Sequence, residues 1–109
     1  MNIHKLFHNS GFLIVSSEED TTNIVCKHGH IYADGRHLFA ALCGYDPDKT
    51  TPAEIAESGR RSRALRKLGE PIMDGDCGEL TIRFNSDRFR DVARILKPRQ
   101  RQLHQAQVA

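Results

Sequence analysis

Residues 27–47 read KHGHIYADGRHLFAALCGYDP, and the fold turns on how this stretch is parsed. Three histidines and a cysteine crowd into it, with Cys26 just upstream. Two short β-type pieces, Ile24–Lys27 and His30–Ala33, flank His28-Gly29, where glycine supplies the backbone freedom a tight turn needs. Asp34 then reads as a helix N-cap, its carboxylate accepting from free backbone N–H groups. The predicted helix runs from Gly35 to Cys43, with Leu38, Phe39 and Leu42 as its apolar face and Gly44 as the residue that closes it. Asp46 before Pro47 is pushed out of helical geometry, so a loop follows.

Outward from this stretch, Phe12–Val15 is a short apolar run and predicts another strand. Downstream, TPAEIAE is the sharpest local signal in the chain. Thr51 is an N-cap, Pro52 takes the first helical position and Glu54 completes a capping box. That helix is predicted to reach Leu68, with Ser58-Gly59 as a point where it could bend. GEPIMDGDCGE reads as a loop or hairpin connection. ELTIRF alternates, with Leu80, Ile82 and Phe84 on one side, and predicts a half-buried strand. A last helix opens at Asn85 or Ser86, buries Phe89, Val92, Ala93 and Leu96, and stops at Pro98. The expectation is a small α+β domain: a sheet of three to four strands with about three helices on one face. One domain would span residues 1–97. RQRQLHQAQVA has no core-forming pattern, so residues 98–109 are expected to form a flexible basic, Gln-rich tail.

The chain has 109 residues, a formal net charge of +2 and no tryptophan. That length suits one domain with a single core that needs neither disulfide nor metal. No apolar run approaches the roughly 20 residues of a membrane span, and MNIHKLFHNSGFLIVSS lacks a signal-peptide core. Three irregularly spaced cysteines fit reduced thiols. The expected location is the cytoplasm.

A zinc site would need three or four converging ligands. Cys26, His28 and His30 alternate, but a turn at Gly29 breaks the face they would share. On a helix, His37 and Cys43 would point in different directions. No paired ligand motif accompanies them. The simpler reading is two small core cysteines and surface or turn histidines, with no metal, no cofactor and no catalytic residue. A metal-dependent enzyme built on these histidines is the weakest of three functional readings.

The positive charge is unevenly spread. Residues 60–67 hold Arg60, Arg61, Arg63, Arg66 and Lys67 without an acid, and Lys97, Arg99 and Arg101 follow the last helix. Two readings of the first cluster stand side by side. Arginine is a good helix former on a solvated face. Alternatively, five cations that repel one another form a phosphate-contacting helix. A helix-turn-helix with its turn at Gly59 would make Arg60–Lys67 the recognition helix.

The segment NIVCKHGHIYADGRHLFAALCGYDPDKT resembles the N-terminal domain of BRO-type phage antirepressors. Gly29 corresponds to the family's turn, Asp34 to the lead of its helix, Leu42, Gly44 and Tyr45 to its Leu-Gly-Tyr signature, and Pro47 to the following loop. The likeness extends through RALRKLGEP and GELTIRFNSDRFRDVARIL, over residues 22–96. Cys43 interrupts the signature, and FNSDRF departs from the family's turn. The resemblance implies a DNA-binding regulator of phage or mobile-element type. On this reading Arg60, Arg61, Arg63, Arg66 and Lys67 contact phosphates, with Lys97, Arg99 and Arg101 as an auxiliary arm. The partner is duplex DNA, and a homodimer is expected because so small a domain rarely reaches specific duplex affinity alone. The alternative is a phage-encoded inhibitor of a host defence or transcription complex. It would set the same basic face, or the acidic loop Asp74–Glu79, against a host protein.

Overall fold

The stretch at 27–47 folds as a β-hairpin. The computed structural model describes residues 3–16 and 22–100, arranged as α1 (Ile3–Asn9), β1 (Ile14–Ser16), β2 (Thr22–Val25), β3 (Gly29–Asp34), β4 (His37–Leu42), α2 (Pro52–Arg66), β5 (Glu70–Asp74), β6 (Leu80–Phe84) and α3 (Phe89–Leu96). A single 3-10 turn, Ser86–Arg88, leads into α3. The six strands form one antiparallel sheet in the order β1-β2-β3-β4-β6-β5.

This corrects the expected architecture in two places. Residues 35–43 are not a helix, and the sheet has six strands rather than three to four. Asp34 does not cap a helix; it pairs with His37 across a two-residue loop. Gly35 takes φ 63° there, as the first position of a tight hairpin loop requires. Leu38, Phe39 and Leu42 have helical spacing, but Leu38, Ala40 and Leu42 have strand spacing, and these last three are the buried ones. Over six residues the two periods cannot be told apart by apolar positions alone. The Asp-Gly dipeptide between apolar runs was the deciding signal.

The second correction is β5. Its residues are all exposed, it lies at the sheet edge, and its ladder is irregular between Pro71 and Met73. Proline and a bulge are what an edge strand tolerates and a central one does not. Exposure on both sides removed the alternation by which a strand is recognised in sequence.

The register sorts side chains onto two faces. Ile24, Ile31, Ala40 and Ile82 lie in one cross-strand row and are all buried. Phe7 of α1, Leu65 of α2 and Phe89, Val92, Ala93 and Leu96 of α3 join the same core. Phe7 and Phe89 meet with ring centroids 6.0 Å apart. The other face carries Asn23, Tyr32, Phe39 and Arg83 in one row and Val25, His30, Ala41 and Thr81 in the next. Its rings stack on each other, Tyr32 with Phe39 at 5.1 Å and His30 with Tyr32 at 5.3 Å.

α2 begins as its sequence dictates. Glu54 N donates to Thr51 Oγ1 at 3.2 Å, and Thr51 N donates back to Glu54 Oε1 at 3.3 Å. It runs unbroken through Ser58-Gly59, so the turn of a helix-turn-helix does not form. An added Cβ at Gly59 would lie 3.3 Å from an Arg63 Nη, so glycine here leaves room for that side chain.

α3 ends on Lys97, which takes φ 58°. The chain then returns to the sheet. Cys26 bridges Pro98 and Phe12 bridges Gln100. Arg99 donates its N–H to Val25 O at 2.9 Å and accepts from Leu13 N at 2.8 Å. Of the tail expected from residue 98, Pro98, Arg99 and Gln100 lie alongside the sheet, with Arg99 hydrogen-bonded to it, and residues 101–109, Arg101 among them, lie outside the described residues.

Two substitutions probe this arrangement. A Cβ at Gly29 would sit 1.9 Å from Ala41 O, a backbone atom that cannot swing aside. Gly29→Ala is expected to lower stability by about 3 kcal/mol, the upper range for overpacking. Thr51→Ala should cost about 0.5–2 kcal/mol by removing the cap. Urea midpoints measure both, and a Gly29→Ala midpoint no lower than that of Thr51→Ala would contradict the tight β3–β4 register.

Candidate nucleic-acid interface

The five cations of α2 do not form one stripe. At 3.6 residues per turn, the buried Ser58 and Leu65 define the inward side. Arg60, Arg63 and Lys67 then project outward, while Arg61 and Arg66 flank the buried stripe on opposite sides. The contacts agree. Arg66 reaches Asp74 on β5 in an ion pair. Arg61 faces the other way, toward the β2–β3 turn, and lines a cavity with Lys27 and His28.

Acidic partners exist that the run Arg60–Lys67 does not reveal. Glu57 pairs with Arg60 at 3.3 Å and with Arg61 at 3.8 Å. These are the i,i+3 and i,i+4 relief expected of a stable helix, and Glu57 stands just upstream of the cluster. Exposed pairs of this kind are worth no more than about 1 kcal/mol. Five cations against Glu57 and Asp74 still leave the helix positive. Arg63 and Lys67 have no ion-pair partner among the described residues.

Arg61 departs most from expectation. A phosphate-contacting residue would stand out in solvent, yet the Arg61 side chain is only 26% exposed. Its Nε is buried and has no hydrogen-bond partner among the described residues. An unpaired buried donor of this sort costs about 1–3 kcal/mol.

The auxiliary basic residues meet the helix through the β2–β3 turn. Lys27 donates its N–H to Lys97 O at 2.8 Å, and His28 donates to Leu96 O at 3.1 Å. Cys26 bridging Pro98 sets Lys27 opposite Lys97. Two like charges facing each other across a ladder oppose folding. Lys97 also holds a left-handed conformation that costs a non-glycine residue about 1–2 kcal/mol. Burial first, then the charges of Arg61, Lys27 and Lys97, hold His28 below the ordinary histidine range. Sequence clusters some 30 residues apart therefore meet around one histidine. Arg99 is exposed and its backbone is fixed between Leu13 and Val25.

The cysteines and histidines separate. Cys26 points into the core, where burial pushes its thiol up to about 12. His30 stands on the opposite face of the sheet, beside Tyr32. His37 lies at the far end of β4, edge-on to Phe39. Among the described residues, no three of His, Cys, Asp and Glu come together as a group that could hold a metal ion. The acidic loop 74–79 is largely engaged internally. Asp74 pairs with Arg66, and Glu79 Oε2 accepts from Cys77 N at 3.2 Å. Among the described residues, no helix is long and apolar enough to cross a membrane.

No family model matches the chain, and no match was found among the curated proteins or the solved structures.

The histidines predict a pH dependence. Burial holds His30 below the ordinary range as well. Below the free histidine value of about 6.5, the unfolded chain takes up protons that the native one resists. Stability should therefore fall as pH drops from 6.5 toward the lowered native values, then level off. The thermal midpoint should decrease between pH 7 and pH 5, and the His28→Gln/His30→Gln variant should show a smaller decrease. Equal pH profiles for the two proteins would refute this.

Proposed function

We propose that the protein is a small DNA-binding regulator of phage or mobile-element type, acting in the cytoplasm. One observation carries the reading: Lys27, Arg61 and Lys97 meet around His28 at one end of the sheet, and Arg63 and Lys67, without an ion-pair partner among the described residues, stand on the outward face of α2. Like charges gathered at a stability cost serve a polyanion better than they serve the fold. The resemblance over residues 22–96 to BRO-type antirepressors points the same way. The outward residues Arg60, Arg63 and Lys67 contact backbone phosphates, with Lys97 and Arg99 extending the track. Three free cysteines accord with a reducing compartment.

A second reading rests on the sheet face opposite the helices. Tyr32, Phe39 and His30 stack there, and Val15 and Met73 are 48% and 53% exposed. Such a face suits protein contact, as an inhibitor of a host defence or transcription complex would need.

The test uses Arg63→Glu/Lys67→Glu. Among the described residues neither has an ion pair to lose, so folding should be nearly unchanged. Duplex binding should weaken sharply. Wild-type affinity should fall with salt at a log–log slope of about −0.9 per phosphate, hence about −3 to −4 with four contacts engaged. The variant's slope should be shallower by about two units. Absence of duplex and single-strand binding at low salt would reject the regulator and favour the inhibitor.

A further inference from the structure

We propose that the cavity walled by Arg61, His28 and Lys27 is a binding site for a phosphate monoester, the end group of a nucleic-acid strand. The proposal rests on the nucleic-acid reading and gives a particular role to Arg61, which stands off the outward face of α2. Arg61 flanks the buried stripe of α2, so a backbone phosphate lying along the outward face of the helix would not meet it. A group entering the cavity would.

The cavity measures about 310 Å³, at the small end of ligand sites. Arg61, Lys27 and His28 line it together with Ser58 and Tyr45. Its donors come from α2, from the β2–β3 turn and from the loop after β4, so three separate segments converge on one volume. The buried Arg61 Nε adds a donor with no hydrogen-bond partner among the described residues. Among the described residues, Arg61's one ion-pair partner is Glu57, which lies closer to Arg60. Glu54 also lines the cavity and opposes an anion, but its carboxylate is held by the Thr51 hydroxyl and N–H in the capping box.

The chemistry selects an end group. A phosphodiester carries one charge and a sugar on either side, which requires an open track. A monoester carries close to two charges at neutral pH and three free oxygens. Those oxygens can accept from a guanidinium, an ammonium, an imidazolium and a hydroxyl at once. Binding such a dianion favours protonated His28, so the His28 pKa should rise when the site fills, and affinity should strengthen as pH falls toward that raised value.

The experiment compares short single strands that differ only in their ends: 5′-phosphorylated, 3′-phosphorylated and unphosphorylated. Inorganic phosphate and adenosine monophosphate serve as free phosphate and monoester probes, and the His28 ring protons are followed by NMR. A strand phosphorylated at one end should bind at least about tenfold more tightly than the unphosphorylated strand, the effect of a charge-assisted contact. Its binding should raise the His28 pKa. Arg61→Gln should erase the difference between phosphorylated and unphosphorylated strands, and Arg61→Lys should restore part of it. Circular dichroism establishes that each variant is folded, and His28→Gln provides a second route should Arg61→Gln unfold. Equal binding of all three strands would overturn the end-group site and leave the nucleic-acid reading standing. If no strand binds but adenosine monophosphate still shifts His28, the monoester site stands and the nucleic-acid reading falls. If no probe moves His28, the site is overturned.

Discussion

The pairing of β3 with β4 is the constraint on which the rest of the molecule depends. These strands are the middle of the sheet: β2 and then β1 add to one side, β6 and then β5 to the other. Their register is set at both ends. At one end, Gly35 closes a two-residue loop between Asp34 and His37. At the other, Gly29 lies so close to Ala41 O that no side chain fits between them. A slip of one residue would turn Leu38, Ala40 and Leu42 out to solvent and bring His37, Phe39 and Ala41 against the helices. The core would lose a row of apolar side chains and gain an imidazole. Such a slip is excluded by burial as well as by hydrogen bonding.

The same pairing positions the basic end. Gly29 follows the turn at Lys27-His28, and Cys43 donates its N–H back to His28 O at 2.9 Å, so the start of β3 and the exit of β4 are tied together. α2 leaves that exit after a short loop fixed by Asp46, whose carboxylate accepts from Asp48 N and whose carbonyl accepts from Thr50 Oγ1. This brings the flank of α2 that carries Arg61 to the turn. The return of the chain after α3 brings Lys97 to the other side of it. Charges distant in sequence meet because the hairpin, the loop and the C-terminal return all end at the same edge of the sheet.

What the sequence revealed follows from how locally each element is determined. α2 was legible because a capping box and an N1 proline are signals of a few adjacent residues. β6 and α3 were legible because each buries one face and shows its period. The β3–β4 hairpin was misread because Leu38, Phe39 and Leu42 satisfy a helical period that Leu38, Ala40 and Leu42 contradict, and the Asp-Gly turn was taken for a cap. β5 lacked any burial pattern to read. α1 went unanticipated because its anchor, Phe7, finds Phe89 only in the folded chain. Within the candidate site, the residue types were visible and their grouping was not. Nothing in RRSRALRK says that Arg61 turns inward while Arg63 and Lys67 do not; only the position of the buried stripe, set by Ser58 and Leu65, decides it.

The distribution of acids completes the argument about charge. Glu70 holds Arg83 at 2.6 Å, Asp74 holds Arg66, Asp91 holds Arg94 at 3.3 Å, and Glu57 is shared by Arg60 and Arg61. These four acids neutralise cations locally on α2, β6 and α3. Among the described residues, Lys27, Arg36, Lys49, Arg63, Lys67, Arg88, Arg90, Lys97 and Arg99 have no such partner. Exposed pairs contribute little to stability, so the acids are not there chiefly to hold the fold. The field of an uncompensated cation decays over about 8 Å at physiological salt. A partner would sense local charge of that kind and not the small net charge of the chain.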